Sequence, residues 1–413
     1  MSAMDLATWI DTYAKQGTVW YAKRLSANDT LANKSHQYGS YLPKHLIFGV
    51  LPMVNNNGVK NPDARIDLFV DSRTERRKAR IVWYNDKYHF DPVKGKKGTR
   101  DETRITQLGG VSSPLLDPES TGSIAVFVFE LDKDGIAQAC RLWVAENAAD
   151  EDIIEDRLGS VDPKVSVIWK PGLLPLLAYE SHVGTSPCWL MPDQIPKEWL
   201  KAFPTGQEII KKTLQLRPAT GLSADDRLMS RRDCEFDLFR SVEEAIYLPK
   251  IEKGFDRMQE FLGMAQTILQ SRKSRSGKSL EYHAREVLTE EAFVPNKDFA
   301  HVPAVDGNPD FIFPSVVAYN DPSFPASKLR MLAAKTTCKE RWGQVTKEAK
   351  RIEVKHLLTL QEGVSQSQFK EMMDKNLRLV VPQKLHGKYH KAIQPHLMTL
   401  ESFLADVRLA AST

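Results

Sequence analysis

Two domains of unlike class are what this sequence predicts: a β-barrel or sandwich first, then an α/β domain built on a mixed sheet. Three observations point there. At 413 residues the chain exceeds what one hydrophobic core usually serves. Its first part repeats short runs of β-branched and aromatic residues between turn-forming stretches, whereas its last part alternates strand-like runs with helical periodicity. Between them prolines cluster from Ser186 to Gly206 (SPCWLMPDQIPKEWLKAFPTG), the composition of a domain boundary.

The elements follow in order. RIDLFVDS, ARIVWY, SIAVFVFEL and CRLWVAE read as strands, and VNNNGVKNPDA and LDKDG as the turns between them. Such short strands close most naturally into a barrel or sandwich. We place the first domain at residues 1–180, a linker at 181–206 and the second domain at 207–413. The second opens with helices near Gln207–Leu216 and Ala224–Leu248, then two more near Phe255–Ser271 and Lys278–Ala292. DFIFP, LRMLAAKT, HLLTL and LRLVVP are its strands, interleaved with helices expected at Glu340 to about Glu353, at Gln366–Asn376 and from Thr399.

Composition narrows the class. With 42% hydrophobic and 27% charged residues, this is an ordinary globular chain. No run of eighteen apolar residues occurs, and the N-terminus carries acids where a signal peptide has basic residues, so the expected location is cytoplasmic. Cys140, Cys188, Cys234 and Cys338 form no Cys-x-x-Cys pair, which argues against structural zinc and predicts buried, reduced thiols. No glycine-rich phosphate loop is present, which argues against a nucleotide-driven motor or kinase. The net charge of +4 does not establish nucleic-acid binding. Basic residues do gather at Arg73–Arg80, Lys94–Arg104 and Ser271–Lys278, where they either neutralise phosphates or form solvated faces.

Lys335 stands out, in the apolar run MLAAKTTCKERW. It takes an edge position, or lays its stem along apolar surface with its ammonium in water, or serves a site that holds an anion. Asp310 follows Pro309 at the start of the preceding strand, so adjacent strands would bring the two together. A proline–aspartate on one strand and an acid-x-lysine on the next resembles the restriction-nuclease fold, in which two acids hold magnesium and the lysine positions the attacking water. Here Ala333 stands where the second acid belongs, but Glu348 on the following helix and Glu281 on an earlier one can supply a carboxylate.

KSRSGKSLEYH, NPDFIFPSVVAY, LRMLAAKTTCKERW, HLLTLQEGVS and LRLVVP resemble the C-terminal half of the EcoRII family of restriction endonucleases. KRLSANDT, HQYGSYLP, TRDETRIT and SSPLLDPESTG resemble its N-terminal half, in the same order. The resemblance implies an N-terminal β-pseudobarrel that binds DNA as an effector domain, and a C-terminal nuclease domain whose second acid has moved from the strand to the next helix. It implies metal binding by Asp310 and Glu348 with support from Glu281, and Lys335 as the catalytic lysine. Tyr319 and Lys339 fall in the same active region, though Tyr319 also reads as a half-buried aromatic with a satisfied hydroxyl. Lys339, Glu340 and Arg341 fall where relatives read base edges, a set suited to G·C pairs, or else form an exposed, charged helix start. Arg232 matches an arginine that stacks on a flipped nucleotide, or is a helix-surface ion pair.

In the first domain the resemblance places Lys23, His36 and Tyr41 on one DNA-holding arm and Arg100, Glu102 and Arg104 on a second. Thr103 stands where the family has a lysine, which removes one contact, and His36 also reads as a core histidine. The activity implied is that of a dimeric type II (IIE) enzyme that cuts duplex DNA with Mg2+ at 5′-CCWGG before the first cytosine. It needs a second target site on the effector domain, which also blocks the catalytic cleft, and it is paired with a cytosine DNA methyltransferase. Two readings compete with it: a DNA-binding regulator using the nuclease fold as scaffold, and a repair nuclease.

Overall fold

A computed structural model of the chain describes residues 5–33, 39–93, 95–171, 176–179, 187–339 and 341–412. These form two compact units. The first is Met1–Glu180 with the short pieces Glu362–Gln366 and Lys388–His390, and the second holds the rest. No helix among the described residues is long and apolar enough to cross a membrane.

The first unit begins with α1 (Leu6–Tyr13), capped by the Asp5 side chain on the Thr8 N–H, and β1 (Thr18–Arg24). β2 (Tyr41–Leu42) and α2 (Lys44–Val50) lead to the long pair β3 (Asp63–Val70) and β4 (Glu75–Tyr84). A two-residue hairpin, β5 (Phe90–Asp91) and β6 (Lys96–Lys97), precedes β7 (Glu102–Thr106). β8 (Ile124–Leu131), β9 (Ala137–Val144), α3 (Ala148–Leu158), β10 (Val165–Trp169) and β11 (Leu176–Tyr179) complete it. The sheet order is β11-β10-β1-β8-β9-β3-β4-β7-β2. Tyr21 of β1, Leu68 of β3, Ile81 of β4, Ile105 of β7 and Phe127 of β8 all bury into one core, so the sheet curls round on itself into the expected pseudobarrel. Each such side chain contributes about 1.5–3 kcal/mol by leaving water.

The second unit opens with α4 (Lys197–Lys201) and α5 (Gly206–Leu216), the latter started by a Thr205–Glu208 capping box. Residues 187–205 fall within the stretch assigned above to a linker, and a few of them are anchored in the second unit. Ile195 and Trp199 are buried, and Cys188 forms a disulfide with Cys234. The expectation of four reduced thiols is therefore corrected: Cys140 and Cys338 are free and buried, while the other two are bonded across 46 positions, a separation no spacing motif reveals.

α6 (Ala224–Lys253) and α7 (Met258–Glu290) are long partners, so the two helices expected between Phe255 and Ala292 are one. Gly277 weakens a helix, but Arg272 reaches Glu243 of α6 and Arg275 lies 3.7 Å from Glu235, which holds α7 continuous through the basic stretch. That stretch is thus partly a packed face.

β12 (Ala300–His301), β13 (Phe311–Phe313), α8 (Val316–Asn320), β14 (Arg330–Ala334), α9 (Trp342–Val345), β15 (Lys355–Leu358), α10 (Gln366–Asp374), β16 (Leu377–Val380) and α11 (Leu400–Ser412) follow. The five strands lie in sequence order. β12, β13 and β14 run antiparallel, while β14, β15 and β16 run parallel, giving the expected mixed sheet. The long helix expected from Glu340 to Glu353 is not formed. α9 covers one turn, and Ala349 adopts φ 42°, a left-handed conformation that ends helical continuation.

Candidate active site

The end of the central strand brings the acids and the lysine together. β13 and β14 pair Phe311 with Leu332, so Asp310 falls beside Ala333 and the C-terminal end of β14. Asp310 Oδ2 accepts the Ala334 N–H at 2.7 Å and the Lys335 ammonium at 2.9 Å. β14 lies between β13 and β15, which rules out the edge-strand reading of Lys335. Its N–H is fixed to the Leu358 carbonyl at 2.9 Å. Ala333 is fully buried, so an acid there would sit in the core; the second carboxylate comes from elsewhere.

Glu348, on the turn after α9, is placed to offer one. It is 7% exposed, and its Oε2 is buried with no hydrogen-bond partner. Burial pushes its carboxyl up to about 7 and the nearby Asp310 charge adds to this, while Lys335 and Lys355 oppose the shift. A buried carboxylate oxygen with no donor, within the field of another acid, is the condition that a divalent cation would relieve. Asp310 and Glu348 therefore fit a metal. Glu281 is engaged elsewhere: it holds His301 Nε2 at 2.5 Å, and that imidazole stacks on Phe311. Among the described residues no three His, Cys, Asp or Glu side chains are grouped as a ready-made metal centre.

Tyr319 lies on α8 with its hydroxyl donated to Asp306 Oδ1, a residue the sequence reading passed over. Burial and the Asp306 bond push the phenol up to about 12, which leaves it protonated and unsuited to act as a base. Lys339 is tied through its backbone: its N–H bonds Gln361 Oε1 at 3.1 Å and its carbonyl accepts from Gln368 at 2.6 Å. Arg341 immediately precedes α9 and makes no side-chain capping bond to it. Both sit on the loop that leaves the Lys335 end of β14, while Glu340 lies outside the described residues.

Arg232, read from sequence as a stacking group, is only 8% exposed, and its guanidinium bonds Glu235 and Ser279. Burial works against the Glu235 charge, yet Arg232, His283 and Arg275 hold its carboxyl well below the usual range. Arg232 is thus part of a buried ion network between α6 and α7. Stacking on a base would require it to exchange partners.

In the first unit the candidate arms meet at β2 and β7, where Tyr41 pairs with Arg104 and Leu42 with Thr103. Lys23 bonds Asp29 at 2.9 Å and lies 5.9 Å from the Tyr41 ring, while Asp29 also accepts the Tyr41 N–H at 3.2 Å. Glu102 takes Arg100 at 2.8 Å and Arg104 at 3.0 Å, and the Arg100 guanidinium lies 3.6 Å from the Tyr84 ring centre. Gly39 has φ +103° and any Cβ there would strike the Ile105 carbonyl, so only glycine lets the first arm cross β7 so closely. Arg104 fixes that crossing through the Gly39 carbonyl at 2.8 Å. Thr103 is fully buried and bonds the Leu42 carbonyl. His36 lies outside the described residues. The basic run Arg73–Arg80 is matched by acids at Asp63, Asp67, Glu75 and Asp117, which makes it a paired face.

Residues 14–173 match the family described as Restriction endonuclease EcoRII, N-terminal, and residues 239–404 match EcoRII C terminal. The type II restriction enzyme EcoRII of Escherichia coli is 37% identical over 404 residues, which is 97% of this chain and 96% of that protein. Among solved structures, metal-depleted Ecl18kI in complex with uncleaved DNA is 21% identical, spanning 54% of this chain and 86% of its own, with a TM-score of 0.41. The UbaLAI restriction endonuclease B3 domain with cognate DNA is 15% identical, spanning 41% of this chain and 99% of its own, with a TM-score of 0.28. Matches to both family halves, joined to identity along nearly the whole length, establish that the chain belongs to the EcoRII family of type II restriction endonucleases, DNA-binding enzymes that cut at specific sites.

Proposed function

We propose that this enzyme cuts both strands of DNA at 5′-CCWGG before the first cytosine, as a homodimer using Mg2+, and that a second copy of the site on the N-terminal unit activates it. The observation that carries the catalytic part is the set Asp310, Lys335 and Glu348: a lysine–carboxylate contact of 2.9 Å beside a buried carboxylate oxygen with no donor. Asp310 and Glu348 would hold the metal, which supplies Lewis-acid stabilisation of charge at the scissile phosphate. Lys335 keeps a fixed positive charge at the end of β14, where it orients the attacking water and offsets charge developing on the phosphate oxygens. Asp310 anchors that ammonium while its own position is fixed by the Ala334 N–H.

Lys339, Glu340 and Arg341 are proposed to read base edges next to this centre, since donors suit guanine and a carboxylate suits cytosine N4. Lys23, His36, Tyr41, Arg100, Glu102 and Arg104 are proposed to hold the second duplex. The N-terminal unit would restrain cleavage until that duplex arrives, and a cytosine methyltransferase would protect the host's own sites. Cleaving a plasmid of known sequence and mapping the ends tests this directly. Ends at 5′-CCWGG that require magnesium support the reading, and ends at unrelated sequences overturn it. Titration of Lys339→Ala with target and random duplexes should show binding to the target weakened by roughly 1–3 kcal/mol with little change on random DNA.

A further inference from the structure

The N–H groups of the turn that carries Glu348 are held by a residue well upstream of it, Asp306. The Asp306 carbonyl accepts the Ala349 N–H at 2.8 Å and its Oδ2 accepts the Lys350 N–H at 2.8 Å. Its Oδ1 takes the Tyr319 hydroxyl, and that hydroxyl in turn accepts the Arg351 N–H at 3.4 Å. Three successive backbone donors after Glu348 are thus fixed by Asp306 or by its phenol partner. Next to it, Gly307 adopts φ +77°, and a Cβ there would stand 2.5 Å from the Glu348 Cα. From the other side the Lys355 ammonium bonds the carbonyls of Ala349 (2.7 Å) and Ile352. The backbone around Glu348 is therefore held from both sides, and only its carboxylate end is left without a donor.

A helix would have satisfied these backbone groups internally, and this segment leaves the helix after one turn. Interrupting it exposes three N–H groups that need acceptors, and it swings one carboxylate into the site in place of an acid on β14. From this geometry we infer that Asp306, acting with Tyr319 and the close approach at Gly307, is the positioning residue that sets Glu348 for metal binding. The inference rests on the reading of Glu348 as a metal ligand. Fixing a ligand carboxylate before the cation arrives removes the reorganisation that binding would otherwise require, and loss of such outer partners typically costs 10–100-fold in metal affinity. Asp306→Asn keeps the size of the side chain but replaces one acceptor oxygen with a donor, so it either loses the Lys350 contact or reverses the Tyr319 contact, making the phenol the acceptor and removing the charge that holds it. Gly307→Ala pushes on the Glu348 backbone directly.

The test uses the full chain bound to a target duplex, titrated with Mn2+ and followed by electron paramagnetic resonance, alongside cleavage rates across Mg2+ concentrations. Asp306→Asn and Gly307→Ala should each weaken Mn2+ binding and raise the half-saturating Mg2+ by about 10–100-fold. Duplex affinity should stay unchanged and the rate at saturating Mg2+ should fall far less than the affinity does. Tyr319→Phe, which removes only the phenol bridge, should show a smaller shift in the same direction, and it carries the test should Asp306→Asn fail to fold. Glu348→Gln runs as the control. If it abolishes Mn2+ binding while Asp306→Asn, Gly307→Ala and Tyr319→Phe bind Mn2+ like the unsubstituted protein, the positioning role is wrong and the ligand role stands. If Glu348→Gln itself binds Mn2+ and cleaves normally, the underlying metal reading is wrong.

Discussion

Asp310 and Lys335 could be paired from the sequence because an aspartate opening one strand and a lysine closing the next are neighbours in any antiparallel pair, and the structure sets them 2.9 Å apart. Glu348 was readable as an acid but not as a buried one, since its environment is made by residues forty positions upstream. That environment has a measurable cost. The carboxyl sits at about 7 in the folded chain against 4.5 for an unperturbed glutamate, so between these pH values the folded state keeps a proton that the unfolded state has lost. Stability contributed by this group therefore falls as pH rises from about 4.5 to 7 and stays reduced above. Without metal, Glu348→Gln should melt higher than the unsubstituted protein at pH 8, by the equivalent of about 2–3 kcal/mol, and the gap should close at pH 4 to 5. Equal differences at both pH values would place the charge of Glu348 in water. Lys335→Ala should abolish cleavage while leaving target binding nearly intact, because its contact is to Asp310. Parallel loss of binding, read by duplex titration, would return Lys335 to a structural role.

At the scale of elements, strands were legible and helix ends were not. β3, β4, β8 and β9 announce themselves through β-branched and aromatic runs, whereas the helix expected at Glu340–Glu353 has adequate local propensity and is overruled by tertiary bonds from Asp306 and Lys355. The reverse holds for α7, where a Ser/Gly/Lys stretch that reads as a break stays helical because its arginines pair with acids on α6. β15 carries a second consequence of burial that pattern reading does not disclose. His356 is 3% exposed, its Nδ1 has no partner, and burial drops its imidazole to about 4, with Arg330 and Arg378 helping and Asp406 opposing. Its folded value lies below the unfolded 6.5, so its contribution is fully present above pH 6.5 and is lost as pH falls towards 4. About 3 kcal/mol should disappear across that window. His356→Phe, which keeps a ring beside Phe403 at a similar distance from the 5.0 Å of the imidazole, should flatten this acid limb of the stability curve. Identical slopes between pH 6.5 and 4 would show that another group titrates there.

At the scale of the whole molecule, each unit has its own sheet and its own buried residues, so each is expected to fold alone. The proline cluster at Ser186–Gly206 marked a change in composition but did not disclose the burial of Ile195 and Trp199 or the Cys188–Cys234 bond, which depend on partners far along the chain. Division of the chain before Cys188 leaves the short pieces Glu362–Gln366 and Lys388–His390 with the C-terminal fragment but keeps Cys188, Ile195 and Trp199 with the second unit, whereas division near Gly206 would strip them from it. The proposed effector role then makes a claim that simple DNA anchoring does not. The C-terminal piece should cleave a plasmid carrying one target site. The intact enzyme should cleave that plasmid poorly and be rescued by adding a short duplex with another site, since occupying the N-terminal unit shifts the population towards the active form. Arg100→Ala should remove that rescue without disturbing Asp310, Lys335 or Glu348, as its partners are Glu102 and the Tyr84 ring. The measurement is the rate of one-site plasmid cleavage by the intact enzyme, the C-terminal piece and Arg100→Ala, each with and without the added duplex. Full activity of the intact enzyme on one site, indifferent to the duplex, would reduce the N-terminal unit to an anchor. Such a result would leave the catalytic proposal untouched, because the proposed metal site and the proposed second-site control draw on residues in different units.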